Sequence, residues 1–278
     1  MAAQHARSNS LPSRQHPLIP EFEDQLCRLR SSEAASSSST LGCKLSGLED
    51  LFDCVEKLLL LPLNQQALSR EQNKKCIYEL SDGSLRLLDV CNIAKDALLQ
   101  TKECTQELQS IMRRRVGLAG EVKKFLASRK MVKKAVHKAI RNLKGVENKC
   151  VLNKDDESAA IVSTLRDVET ITLAVFESLL SFISGSKSQK PSSWSMVSKM
   201  LKSNKVACEE TTEANEFESV EAALLSLISP KVKKSDEVNA QILLQKLEMC
   251  VQDLEEGIEH LFRRLIKTRV SLLNVLNN

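Results

Sequence analysis

The residues most able to do chemistry in this chain are bases, and they are concentrated in one segment. Between Arg113 and Lys144 there are 12 lysines and arginines against a single acid, Glu121, while the remainder holds 28 basic and 35 acidic residues. A net charge of +4 therefore conceals a basic patch on an acidic body. At about 100° per residue on a helix, Val122, Phe125, Val132, Val136, Ile140 and Leu143 share one side. Lys123, Lys130, Lys134 and Arg141 cluster on the other, and Lys138 completes a candidate anion-contact face. Arg129 is the exception. It projects toward the apolar side, where it must snorkel or find an acidic partner.

A row of cations can be a solvated helix face and nothing more. It can also hold acidic phospholipid, an acidic protein or nucleic acid. Near an anionic bilayer such a cluster gains about 1 kcal/mol per basic residue. Nucleic acid is the alternative and ranks lower, because stacking aromatics are missing and Phe125 lies on the core side. A calmodulin-target helix has the same general character and ranks lower still.

Other chemistry is sparse. The four histidines (His5, His16, His137 and His260) are more simply surface or structural residues than bases. There is no Gly-rich phosphate loop, no GxSxG elbow and no HExxH. The nine cysteines are scattered singly, without zinc-ligand spacing, which suggests reduced thiols in a reducing compartment. The expectation is a non-enzymatic protein with no metal and no cofactor. No apolar leader and no membrane span is legible; the most apolar run, residues 170–186, carries Glu177 and is too short. A cytoplasmic protein, peripheral to a membrane through its basic helix, is the reading, with plastid or nucleus as alternatives.

The elements that must position these residues are helices. Only 3% of the chain is aromatic, there are 8 glycines, and no proline falls between Pro62 and Pro191. This composition favours an all-α, elongated up-and-down bundle. Residues 1–40 read as a disordered basic and serine-rich arm and linker with a short helix around 21–30, and residues 41–278 as one bundle domain. A helix from Lys44 ends at Pro62. The next, capped by Ser81 or Asp82, carries the seam Leu87, Cys91, Ala94, Leu98, Thr101, Thr105, Leu108 and Met112. RRRVGLAG (113–120) turns the chain into the basic helix, which runs to Leu143. A third long helix has the seam Leu165, Val168, Thr172, Val175, Leu179 and Phe182. A shorter helix begins at Trp194, another spans Val220–Ile228, and the last runs from Asp236 to Leu276. That last helix could self-associate, but burial of its leucines inside the bundle is the preferred reading.

Five segments together resemble a known family: RSNSLPSRQHP at the start, SIMRRR (110–115), SRKMVKKAVHKAIRNLK (128–144), SSWSMVSKML (192–201) and LEEGIEHLFRRLIKTRVSLLNVL (254–276). They look like the plant BYPASS-like family, in the family's order and over nearly the whole chain. The resemblance implies a helical protein associated with root and shoot development, with no catalytic or binding residues to carry over.

The arm then has a reading of its own. Arg7, Ser8, Ser10 and Pro12 fit the pattern R-S-x-S-x-P, which resembles a docking site for a 14-3-3-type partner once Ser10 is phosphorylated. Phosphoserine brings about −1.5 to −2 charges and three strong acceptors for an arginine cluster. An Arg- and Ser-bearing start free of acids also fits a plastid transit peptide.

Overall fold

The computed structural model describes residues 18–31, 37–114, 117–143, 157–185, 215–229 and 233–277. Those residues form eight α-helices and one short 3₁₀ turn, with no strand among them. In chain order the helices are α1 (Leu18–Ser31), α2 (Ser38–Leu60), α3 (Pro62–Leu68), α4 (Lys74–Arg114), α5 (Leu118–Leu143), α6 (Glu157–Ser184), α7 (Glu216–Leu227) and α8 (Lys234–Asn277). At 1.5 Å per residue, α4 and α8 are each about 60–65 Å long and set the length of the bundle. The protein is all-α, as its periodicity implied.

Cross-helix contacts fix the directions. Lys102 pairs with Glu255 at 2.6 Å, while Gln109, a turn or two further along α4, reaches back to Glu248 at 3.1 Å; α4 and α8 are antiparallel. Asp53 and His260–Glu49 show that α2 runs parallel to α8, with Glu49 3.6 Å from His260 and Asp53 2.8 Å from Arg264. Helix α5 folds back along α4, where Gln100 donates to Ser128 at 3.0 Å. Helix α6 then returns beside α4, and Arg166 lies 3.5 Å from Glu79.

Both sequence-derived seams are buried along most of their length. On α4 every seam position from Leu87 to Leu108 is buried and only Met112, near the helix end, is half-exposed. All six α6 seam residues are buried, and so are Ile171, Phe176, Leu180 and Ile183. That wider stripe arises because α6 packs on α2, α4 and α5 at once.

Helix ends follow local chemistry. Pro62 ends α2 and also begins α3, where its missing N–H has no intrahelical partner to lose. Gly117 (φ 73°) and Gly185 (φ 69°) take the left-handed backbone that lets α5 start and α6 stop. Asn215 serves two helices: its Oδ1 accepts from Phe217 N–H at the start of α7, and its Nδ2 donates to the Phe182 carbonyl near the end of α6, both at 2.8 Å.

Three expectations need correction. Helix α4 starts at Lys74, not at Ser81 or Asp82, because those residues are absorbed into its interior. Position 83 takes glycine within that helix because a Cβ would collide with the Glu169 carboxylate. The folded body also begins before residue 41: α1 buries Phe22 and Leu26, and Ser37 caps α2, its Oγ accepting from Thr40 N–H at 3.4 Å. The thiols are not uniformly reduced, since Cys76 is disulfide-bonded. Cys27, Cys43, Cys54, Cys91, Cys104 and Cys250 are free. Burial pushes the Cys91 and Cys250 thiols up to about 12, so both behave as small core hydrophobes. The short helix expected at Trp194 lies outside the described residues.

Candidate anion-contact face

Helix α5 is held to the bundle by one side only. Val122, Phe125, Val132, Val136 and Ala139 are buried against α4 and α6, with Ile140 and Leu143 half-buried toward the end. The amphipathic period read from the sequence is the one the fold uses.

Arg129 sits within this apolar side at 2% exposure. It finds the acidic partner it needed in Glu221 of α7, 3.0 Å from its Nε. Its Nη2 donates to the Ile183 carbonyl at 2.6 Å, and its guanidinium lies 4.7 Å from the centre of the Phe217 ring. Lys133, one turn on, takes the other oxygen of Glu221 at 2.5 Å. Burial lowers the Arg129 pKa and the Glu221 carboxylate opposes that shift, so the guanidinium stays charged. One carboxylate from α7 thus closes the two basic positions of α5 that face inward, and ties α5, α6 and α7 into one polar junction.

The outward positions have no such partner. Lys123, Lys130, Lys134, Lys138 and Arg141 are all exposed, and none makes an ion pair with a described residue. Lys124 is different, lying 3.1 Å from Glu121 and 4.0 Å from Glu107. From Lys123 to Arg141 the row extends about 27 Å along the helix axis at 1.5 Å per residue. Arg113 is exposed at the end of α4, on the approach to the same helix. The geometry suits a flat or extended anionic surface better than a single small anion, because the cations are strung along the helix and not gathered around one point.

Among the described residues, no group of three His, Cys, Asp or Glu side chains could hold a metal ion, and no helix is long and apolar enough to cross a membrane. The candidate docking residues Arg7, Ser8, Ser10 and Pro12 lie outside the described residues.

Sequence reasoning missed a second polar cluster, between α4, α6 and α8. Arg86 Nη2 donates to the buried Glu169 at 2.8 Å. Arg269 reaches the Ser81 carbonyl and lies 3.2 Å from Ser84 Oγ. The available signals were one acid in an apolar helix, at Glu169, and a serine–glycine–serine set at residues 81, 83 and 84. Neither tells which distant arginine would answer it.

The family model of Protein BPS1 matches residues 44–275. The chain belongs to the BYPASS family. Its match spans every helix from the body of α2 to nearly the end of α8, the basic face included. No curated protein and no solved structure matches the chain. The expected family is therefore shown, and the member described here is a helical bundle with a row of five exposed cations along the outside of α5.

Proposed function

We propose that this BYPASS family member is a non-enzymatic helical interaction protein that docks on anionic membrane surfaces through the outer face of α5, in a plant developmental pathway. The observation that carries the reading is the row of five exposed cations with no carboxylate partner among the described residues. On the seam between α4 and α8, by contrast, Lys102 is answered across helices by Glu255 at 2.6 Å. An unanswered row keeps its full attraction for an external polyanion. A straight helix on the outside of a bundle can lie along a plane, so all five side chains reach headgroups together. At about 1 kcal/mol per basic residue, five contacts suffice for reversible attachment. The developmental role rests on family membership, as does the root and shoot association.

Liposome flotation of the whole protein tests this, with and without anionic lipid, at low and physiological salt. The protein should float only with anionic lipid, less so as salt shortens the screening length. A variant with Lys123, Lys130, Lys134, Lys138 and Arg141 all changed to Glu should stay at the bottom. Equal flotation of the two proteins would remove the reading. Salt-sensitive retention on DNA or RNA without lipid binding would favour the nucleic-acid alternative. The arm offers a separate route to a partner: a phosphorylated Ser10 peptide spanning Arg7 to Pro12 should bind a 14-3-3-type protein, and its unphosphorylated form should not.

A further inference from the structure

The centre of the bundle holds a second feature that the basic face does not explain. Where α2, α4, α6 and α8 meet there is a cavity of ≈ 30 Å³. Part of its wall is apolar, including Phe52 and Leu265, and part is polar: Ser84, Glu169 and Thr268. Glu169 and Thr268 are each 5% exposed.

Thr268 is unusual among the buried helical threonines. Thr101, Thr105 and Thr172 each donate to the carbonyl four residues earlier, at 2.7 Å in every case. This local bond is the ordinary way to satisfy a threonine hydroxyl inside a helix. Thr268 Oγ1 makes no such bond and has no partner among the described residues, although it is buried. Arg86 Nε is a second buried polar atom without one, on the side chain that holds Glu169. An unanswered hydroxyl is destabilising in a dry interior, because it has lost its water partners and gained none. A water needs roughly 10–15 Å³ of such space and at least two polar partners.

We propose that this cavity is a binding site for ordered water, one or two molecules that join Thr268 Oγ1 on α8 to the Glu169 carboxylate on α6. Ser84 on α4 supplies a further partner at the rim. The bridge links helices whose other polar contacts at this level all run through α4: Arg86 reaches Glu169, and Arg269 reaches Ser81 and Ser84. Gly83, which has no side chain, leaves room for the Glu169 carboxylate beside α4.

Two measurements on the full chain test the site. A crystal structure at better than 2 Å should show water density within hydrogen-bond distance of Thr268 Oγ1 and Glu169, and xenon pressure should give no peak there. Thr268→Val has nearly the same shape but lacks the hydroxyl. It should lower the folded-to-unfolded ratio by roughly tenfold in urea titration, because the bridge loses one end. Thr268→Ser should stay close to the native protein. A xenon peak without water density would overturn the proposal, as would a Thr268→Val protein at least as stable as the native one. Both are the behaviour of a dry cavity with an orphaned hydroxyl.

Discussion

The outer face of α5 and the seam between α4 and α8 have similar numbers of long charged side chains and use them in opposite ways. Along the seam, Lys95 pairs with Glu259, Lys102 lies 2.6 Å from Glu255, and Gln106 and Gln109 share Glu248 at 3.0 and 3.1 Å. Each contact is bordered by buried leucines and cysteines, so its charge is spent on fixing the register of two antiparallel helices. On the face of α5, the cations stand at similar helical spacings with no acid opposite. The same residue types therefore build a joint where a second helix supplies carboxylates, and an unsatisfied electrostatic surface where none does. A charge run acquires its meaning from what the fold brings across from it.

At Arg129, α5 uses charge as the seam does, and substitution there should have the largest effect. Arg129→Ala removes the donors to Glu221 and Ile183 and leaves a void beneath Phe217. Urea unfolding should show a loss of about 3–5 kcal/mol, nearer the lower figure because Lys133 still holds Glu221. Arg129→Lys, which keeps the charge but loses the fork, should fall between this variant and the native protein.

A smaller effect should come from the seam itself. Lys95 holds the Glu259 carboxyl below its ordinary value, chiefly by its hydrogen bond and then by charge. A carboxyl depressed by folding adds stability above the unfolded value of 4.5, and that stability is lost as pH falls through the folded value. Lys95→Met keeps an unbranched side chain of similar length and removes the ammonium, which pairs with Glu259 and lies 4.8 Å from the centre of the Phe262 ring. Stability near neutral pH should drop slightly, and the decline below pH 4.5 should become shallower. Because the pair is partly solvated, the change should be modest and should shrink in high salt. An acid limb identical to that of the native protein would show that the seam pairs contribute little to stability.

The smallest stability effect should belong to the basic face. Changing all five outward cations of α5 to Glu breaks no described contact, so the unfolding free energy should move by less than about 1 kcal/mol. Flotation on anionic lipid should nevertheless be lost. A large drop in stability would mean that the row is braced by interactions within the protein, and the contrast with the seam would fail.

Much of the fold was legible because helix periodicity is a local property. Leu87 to Leu108 repeat at steps of three and four, and so do Leu165 to Phe182; any helix built from those stretches must place them on one stripe. The candidate face was legible for the same reason, since Lys123, Lys130, Lys134, Lys138 and Arg141 follow from the angle of α5 alone. Even the need of Arg129 for an acid could be read from its place on the apolar side.

Which acid it finds was decided only by tertiary structure. Glu221 is 92 residues away, and nothing local selects it over the other acids of the chain. The start of α4 went unread for a related reason. Ser81, Asp82 and Gly83 have the composition of a helix start, but Arg269 and Glu169, more than eighty residues distant, make the helical arrangement the satisfied one. The orphaned hydroxyl of Thr268 belongs to the same class, because three threonines of identical local chemistry bond to their own helices and this one does not. Short-range spacing sets which face of each helix is apolar or charged. The pairing of faces, and thus which charges are consumed and which remain free, is set by packing across the bundle.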